Sequence, residues 1–86
     1  MAVADEKTLI ERHIALDRVG DPARATLRES GVPVWALVGH WRTAGKDAAD
    51  VARAYEVPLE AVEAALAYYR RHKAEIDGRL AAIDAA

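Results

Sequence analysis

The chain has 86 residues, a net charge of −2 and no cysteine. This length suits one small domain, and the lack of cysteine excludes disulfides, thiolate metal sites and cysteine nucleophiles. No apolar run approaches the roughly 20 residues of a transmembrane helix, and the first residues lack the apolar core of a signal peptide. We therefore expect a single cytoplasmic domain over residues 1–86 that does not associate with a membrane.

The hydrophobic residues make up 52% of the chain, but 20 of them are alanine, so few large side chains remain for a core. A chain of this length also buries only about 60–65% of the surface that its unfolded form exposes. Association would complete such a thin core, and we expect a homodimer. The slightly acidic charge balance provides no general attraction for nucleic acid.

Two short strands, at residues 8–16 and 24–29, are expected in the N-terminal segment 8–30. In the first, Ile10, Arg12, Ile14 and Leu16 lie on one face, with the Arg12 stem covering apolar surface, and the second alternates more regularly. The apolar side chains of the first segment also fit one face of a helix, at Leu9, Ile10, His13 and Ile14. Because an isolated hairpin is marginal in water, the strands should pair across a dimer or pack on the helices.

Three helices are expected in residues 33–77. The first follows Pro33, ends before Gly45, and carries a stripe that we expect to be buried, namely Val34, Leu37, Val38 and Trp41. The second is short and follows Asp47, a good N-cap residue. The third follows Pro58, which is tolerated in a first turn.

The third helix carries an apolar stripe with heptad spacing, broken only by Lys73. If Gly78 is tolerated, the helix continues to about residue 83; if Gly78 ends it, residues 78–86 form an extension or a tail. In both cases we expect the end of the stripe to extend beyond the other helices and to need a partner. The residues of the stripe are Val62, Leu66, Tyr69, Lys73, Ile76, Leu80 and Ile83.

The sequence contains none of the spacings typical of an enzyme site. Its nucleophile candidates are scattered hydroxyl groups, and His13, His40 and His72 lack the spacing of metal ligands. We expect no catalytic residue, no metal site and no cofactor.

Residues 51–62 follow the spacing of a helix-turn-helix. Ala52 is the small residue at the helix crossing, Val57 is the hydrophobic residue of the turn, and Val62 anchors the second helix. Glu56 stands at the turn position that is commonly glycine. The pattern predicts that the second and third helices form this unit.

DNA contact is expected away from the second helix of this unit. That helix begins with Glu60 and Glu63, whose carboxylates would repel phosphate where base readers are usually Arg, Lys, Asn or Gln. Arg24, Thr26 and Arg28 alternate along the second predicted strand, so their side chains should project together. Two such strands in a dimer would present four arginines, as in ribbons that lie in a DNA groove.

Four segments resemble the family called the domain of unknown function 433, and the resemblance covers about residues 8–80. The most distinctive is Val-Glu-Ala-Ala-Leu-Ala-Tyr-Tyr, at residues 62–69. The chain departs from the family pattern at residues 28–30, where Arg-Glu-Ser replaces a Gly-Thr-Arg type of turn. The four segments are residues 8–14, 31–41, 51–55 and 61–72.

This resemblance implies a mainly α fold, with a three-helix, helix-turn-helix-like core and two short N-terminal β-strands. Members are similar to VapB-type antitoxins, which implies a PIN-like ribonuclease toxin as the partner. We therefore expect an antitoxin-like binding protein that neutralises such a nuclease and that can regulate its own operon by binding operator DNA. The alternatives are a stand-alone DNA-binding regulator and a structural interaction module without DNA contact.

The C-terminal segment is the expected contact with the nuclease. A PIN-like nuclease holds its metal ion among carboxylates, and a guanidinium pairs with carboxylates through two parallel hydrogen bonds. Basic and apolar residues lie side by side in this segment, and Arg79 is the best placed because it is next to Gly78 and Leu80. The expected contact residues are Arg70, Arg71, Lys73, Ile76, Arg79, Leu80 and Ile83.

Overall fold

The computed structural model describes residues 5–17 and 19–85. Within these residues the chain is mainly helical, with one short antiparallel strand pair, so the expected fold class is confirmed. In chain order the elements are α1 (Glu6–His13), β1 (Ile14–Ala15), a 3-10 turn (Pro22–Arg24), β2 (Thr26–Leu27), α2 (Val34–Thr43), α3 (Ala48–Tyr55), α4 (Leu59–Arg71) and α5 (Lys73–Ala85).

The N-terminal segment forms a helix where a strand was expected. The Asp5 carboxylate accepts the Lys7 N–H at 3.2 Å and caps α1, which packs along α4. Only two residue pairs remain in the sheet, and Ile14 lies opposite Leu27. The expected strands at residues 8–16 and 24–29 are therefore too long, because capping and packing on α4 favour the helical alternative for the first of them.

The three central helices begin where the sequence predicts them. Asp47 caps α3 by accepting the Ala49 N–H at 2.9 Å, and Gly45 takes a left-handed conformation after α2. Most of the large buried side chains belong to these helices. Trp41, which was expected in the core, is only partly buried at the edge of the core. The largest fully buried side chains among the described residues are Leu37, Ile76, Val34, Val38, Val51 and Val62.

The helix after Pro58 breaks at His72, not at Gly78. His72 leaves helical geometry, with φ −131°, and its N–H is shared between the carbonyls of Tyr68 and Tyr69. Beyond it α5 packs on α2 and on the 3-10 turn, and Gly78 lies within α5. The bend allows the second half of the stripe to reach the core of its own chain.

This packing corrects the expectation that the end of the stripe needs a partner. Ile76 is 1% exposed, and Leu80 packs against the core, with its Cδ2 3.2 Å from the place where a Cβ on Gly39 would stand. Ile83 remains exposed, at 41%. Ile76 and Leu80 are therefore covered by their own chain and give no support for a dimer through this stripe.

Candidate binding surfaces

A turn of three residues joins α3 and α4, as the helix-turn-helix spacing predicts. Glu56 takes the left-handed conformation, with φ 55° and ψ 46°, in the position that is commonly glycine. The N–H of Val57 donates to the carbonyl of Ala52 at 3.0 Å, which closes the turn. Val62 is fully buried beneath it, as expected of the residue that anchors the second helix.

The acidic start of α4 is held by the end of α1. Glu60 Oε2 lies 2.5 Å from Nε2 of His13 and 3.3 Å from a guanidinium nitrogen of Arg12. The hydrogen bonds from His13 and then from Arg12 lower the pKa of the Glu60 carboxyl below its ordinary value. The carboxylate is therefore charged and partly neutralised, while Glu63 is exposed one turn further on. About 47 residues of sequence separate these partners, so no sequence spacing could have revealed them.

The three residues predicted to contact DNA do not share one strand face. Arg24 lies in the 3-10 turn and pairs with Asp17 at 3.1 Å, whereas Thr26 is in β2. Arg28 follows β2, and its guanidinium donates to the carbonyls of Glu11 at 3.1 Å and Ile14 at 2.8 Å. The expected arrangement of alternating arginines is wrong, because the strand is only two residues long and Arg28 attaches the end of β2 to the junction of α1 and β1.

Most of the basic residues predicted to bind the partner already pair within the chain. Arg70 and Arg71 lie 2.9 and 3.4 Å from the carboxylate of Glu6 in α1. The Arg70 hydrogen bond is the main cause that lowers the pKa of Glu6. Lys73 lies 3.4 Å from the carboxylate of Asp77, one turn along α5.

Asp77 is the centre of a polar cluster that fastens α5. Its carboxylate accepts the Tyr69 hydroxyl at 2.7 Å and pairs with Arg42 of α2 at 3.3 Å, while Lys73 donates to the Tyr69 hydroxyl at 3.0 Å. The Tyr69 hydrogen bond, followed by Lys73 and Arg42, lowers the pKa of Asp77. The spacing of Lys73 and Asp77 is the only part of this cluster that the sequence indicates.

Arg79 is different from the other basic residues of the C-terminal segment. Its guanidinium carbon lies 5.7 Å from the centre of the Trp35 ring, within the range of a cation–π interaction. Among the residues that the structure describes it makes no ion pair. Ile83 follows one turn later on α5, so the two exposed side chains form one surface, which we call the α5 face (Arg79 and Ile83).

The histidines lie in three separate environments. His13 contacts Glu60, His40 meets the Tyr55 ring edge-on at 5.7 Å, and His72 lies 4.4 Å from the Tyr68 ring, centre to centre. Within residues 5–17 and 19–85, no cluster of three or more His, Asp or Glu side chains could hold a metal ion. The same residues include no helix with the length and hydropathy needed to cross a bilayer.

Residues 23–69, more than half of the chain, match the family described as protein of unknown function DUF433. The chain therefore belongs to this family, as its sequence resemblance indicated. The matched region contains the helix-turn-helix and most of α4, whereas α1 and α5 lie outside it. No curated protein and no solved structure matches the chain.

Proposed function

We propose that the protein is an antitoxin-like binding protein that neutralises a PIN-like ribonuclease, with the α5 face as its inhibitory contact. The observation that supports this proposal is that the Arg79 guanidinium makes no ion pair with any residue that the structure describes. Its neighbours Arg70, Arg71 and Lys73 are paired with carboxylates of the chain, whereas the Arg79 guanidinium lies on Trp35 and keeps its hydrogen-bond donors available.

The chemistry of the proposed partner suits such a group. A nuclease of this class holds its metal ion among carboxylates, and a planar guanidinium pairs with carboxylates through two parallel hydrogen bonds. Ile83 on the same face supplies exposed apolar surface beside the charge. Trp35 limits the freedom of the Arg79 side chain before binding, which reduces the entropy lost when the complex forms.

The proposal is tested with the PIN-like nuclease encoded beside this gene, by following cleavage of a labelled RNA. We expect the chain to inhibit cleavage, Arg79→Ala to weaken inhibition at least about tenfold, and Arg79→Lys to recover only part of it, because lysine lacks the two-pronged geometry. Arg53→Ala, which removes an exposed guanidinium from α3, is the matched control and should inhibit normally.

The proposal fails if no such nuclease is encoded there or if the wild-type chain does not inhibit it. Full inhibition by Arg79→Ala would show that the α5 face is not the contact. Melting curves of each variant show whether a loss of inhibition reflects unfolding.

The geometry of the α3–α4 turn favours DNA binding as a second candidate function, either in regulation of the same operon or alone. The left-handed Glu56 and the buried Val62 stand at the turn and anchor positions of the helix-turn-helix spacing. Specific binding to the promoter duplex, with affinity that falls steeply with salt and without any effect on the nuclease, would favour the stand-alone regulator.

A further inference from the structure

A groove of about 510 Å³ lies between α1, the end of α2 and α4. Its floor is apolar and includes Leu9, Trp41 and Leu66. Leu9 and Trp41 pack against the core but are only partly buried. A tryptophan that contributes to the core and also lines an open groove is typical of an interface, where aromatic residues are enriched.

The charges on the rim of this groove are balanced. Glu6 and Arg70 pair with each other across one part of the rim, at 2.9 Å. Lys46 and Glu63 also lie on the rim, and neither makes an ion pair with any residue that the structure describes. The groove therefore presents one available cation and one available carboxylate.

The two available charges on the rim, Lys46 and Glu63, favour one kind of partner over others. A nucleic acid or an acidic segment would meet the Glu63 carboxylate, and a basic segment would meet the Lys46 ammonium, which lies 5.8 Å from the centre of the Trp41 ring. A second copy of the same chain satisfies both charges at once. In a twofold pair the same patch meets itself, so that each contact occurs twice.

We infer that this groove is the contact between two copies of the chain in a twofold dimer, with Trp41 near its centre and Lys46 of each protomer paired with Glu63 of its partner. This interface does not involve Arg79 or Ile83, so it leaves the α5 face open. The inference does not rest on the proposed function, since a dimer of this kind is compatible with any of the activities considered above.

The test is sedimentation equilibrium of four proteins at micromolar concentrations: the wild-type chain, Lys46→Glu, Glu63→Lys and the double exchange. We expect a wild-type dimer, and a dissociation constant raised about tenfold or more by each single reversal, because each reversal replaces two attractive pairs with two repulsive ones. The double exchange restores opposite charges and should return the constant to near the wild-type value.

Arg53→Glu is the matched control for Lys46→Glu, since both reverse one exposed cation and change the net charge by the same amount, but Arg53 lies outside the groove. It should dimerise as the wild type does. A wild-type chain that stays monomeric would overturn the inference. The inference would also be overturned if neither single reversal changed the dissociation constant. The same holds if the double exchange did not return the constant to near the wild-type value.

Discussion

Glu56 shows how a single backbone conformation determines the helix-turn-helix. Its φ of 55° lies in the left-handed region, where a non-glycine residue is strained by about 1–2 kcal/mol. The exposed side chain makes no hydrogen bond to any residue that the structure describes, so the side chain itself does nothing to offset the strain. The turn is held by the buried residues on either side of it.

Glu56→Gly should therefore stabilise the protein. Relief of the strain exceeds the entropy that glycine adds to the unfolded chain, about 0.4–1 kcal/mol, which leaves an expected gain of roughly 0.5–1 kcal/mol. Glu11→Gly, at an exposed position inside α1, is the control and should lower the free energy of unfolding by about 0.5–1 kcal/mol. Urea denaturation measures both, and a loss of stability in Glu56→Gly would contradict the argument.

This turn was predictable because its signals are local. The spacing of Ala52, Val57 and Val62 indicates two helices that cross, and the structure places these residues accordingly. The partners of Glu60 were not predictable, since His13 and Arg12 reach it only after α1 has packed on α4. The same is true of Arg28, whose role as a donor to two carbonyls depends on the path of the backbone.

At the scale of elements, α5 shows the limit of sequence periodicity. Its apolar residues continue the heptad spacing of α4, and that spacing is the same for one long helix and for two helices joined by a bend. The bend at His72 is instead favoured by contacts distant in sequence, namely Ile76 in the core and Asp77 with Arg42. The ambiguity of residues 8–16 has a similar cause, although Asp5 was a local signal for a helix start.

The Asp77 cluster should make the packing of α5 sensitive to acid. The pKa of Asp77 is lower in the folded chain than in the unfolded one, so its stabilising effect is complete above the ordinary aspartate value of about 3.9 and is lost as pH falls through the lower folded value. Asp77→Asn lacks this contribution. We expect its melting temperature to lie below that of the wild type at neutral pH, with the difference shrinking below about pH 4.

Asp84→Asn provides the control, because Asp84 is exposed on the same helix and makes no ion pair with the residues described. The melting temperature of Asp84→Asn should differ little from that of the wild type. If the difference in melting temperature between Asp77→Asn and the wild type did not change with pH, the ionised Asp77 carboxylate would not be what stabilises the packing of α5.

At the scale of the whole molecule, α1 is attached more weakly than the helices that it covers. Within residues 6–13, all of which the structure describes, no residue is buried, whereas eight residues of α4 are buried. Ion pairs hold both ends of α1, through Glu6 at its start and through Arg12 and His13 at its end. Exposed pairs of this kind contribute little and are screened by salt.

We therefore expect α1 to open before the rest of the chain unfolds. In native-state hydrogen exchange measured by NMR, the amides of α1 should exchange through openings of lower free energy than those of α4. Added salt should accelerate hydrogen exchange in α1 by a small amount and leave that of α4 unchanged, because it weakens the exposed ion pairs at both ends of α1. Equal protection of α1 and α4, or equal effects of salt on both, would contradict this expectation.

The single non-helical residue between α4 and α5 also sets the rotational phase of the last helix. One residue inserted at His72 would turn every α5 side chain by about 100° around the helix axis. Ile76 would then leave the core, and Asp77 would leave Arg42, although no residue of α5 had been altered. An insertion of three or four residues, close to a whole helical turn, would turn the same face back towards α2 but shift it by about 5 Å along the helix axis. Length changes at this point should therefore be less harmful in whole turns than residue by residue.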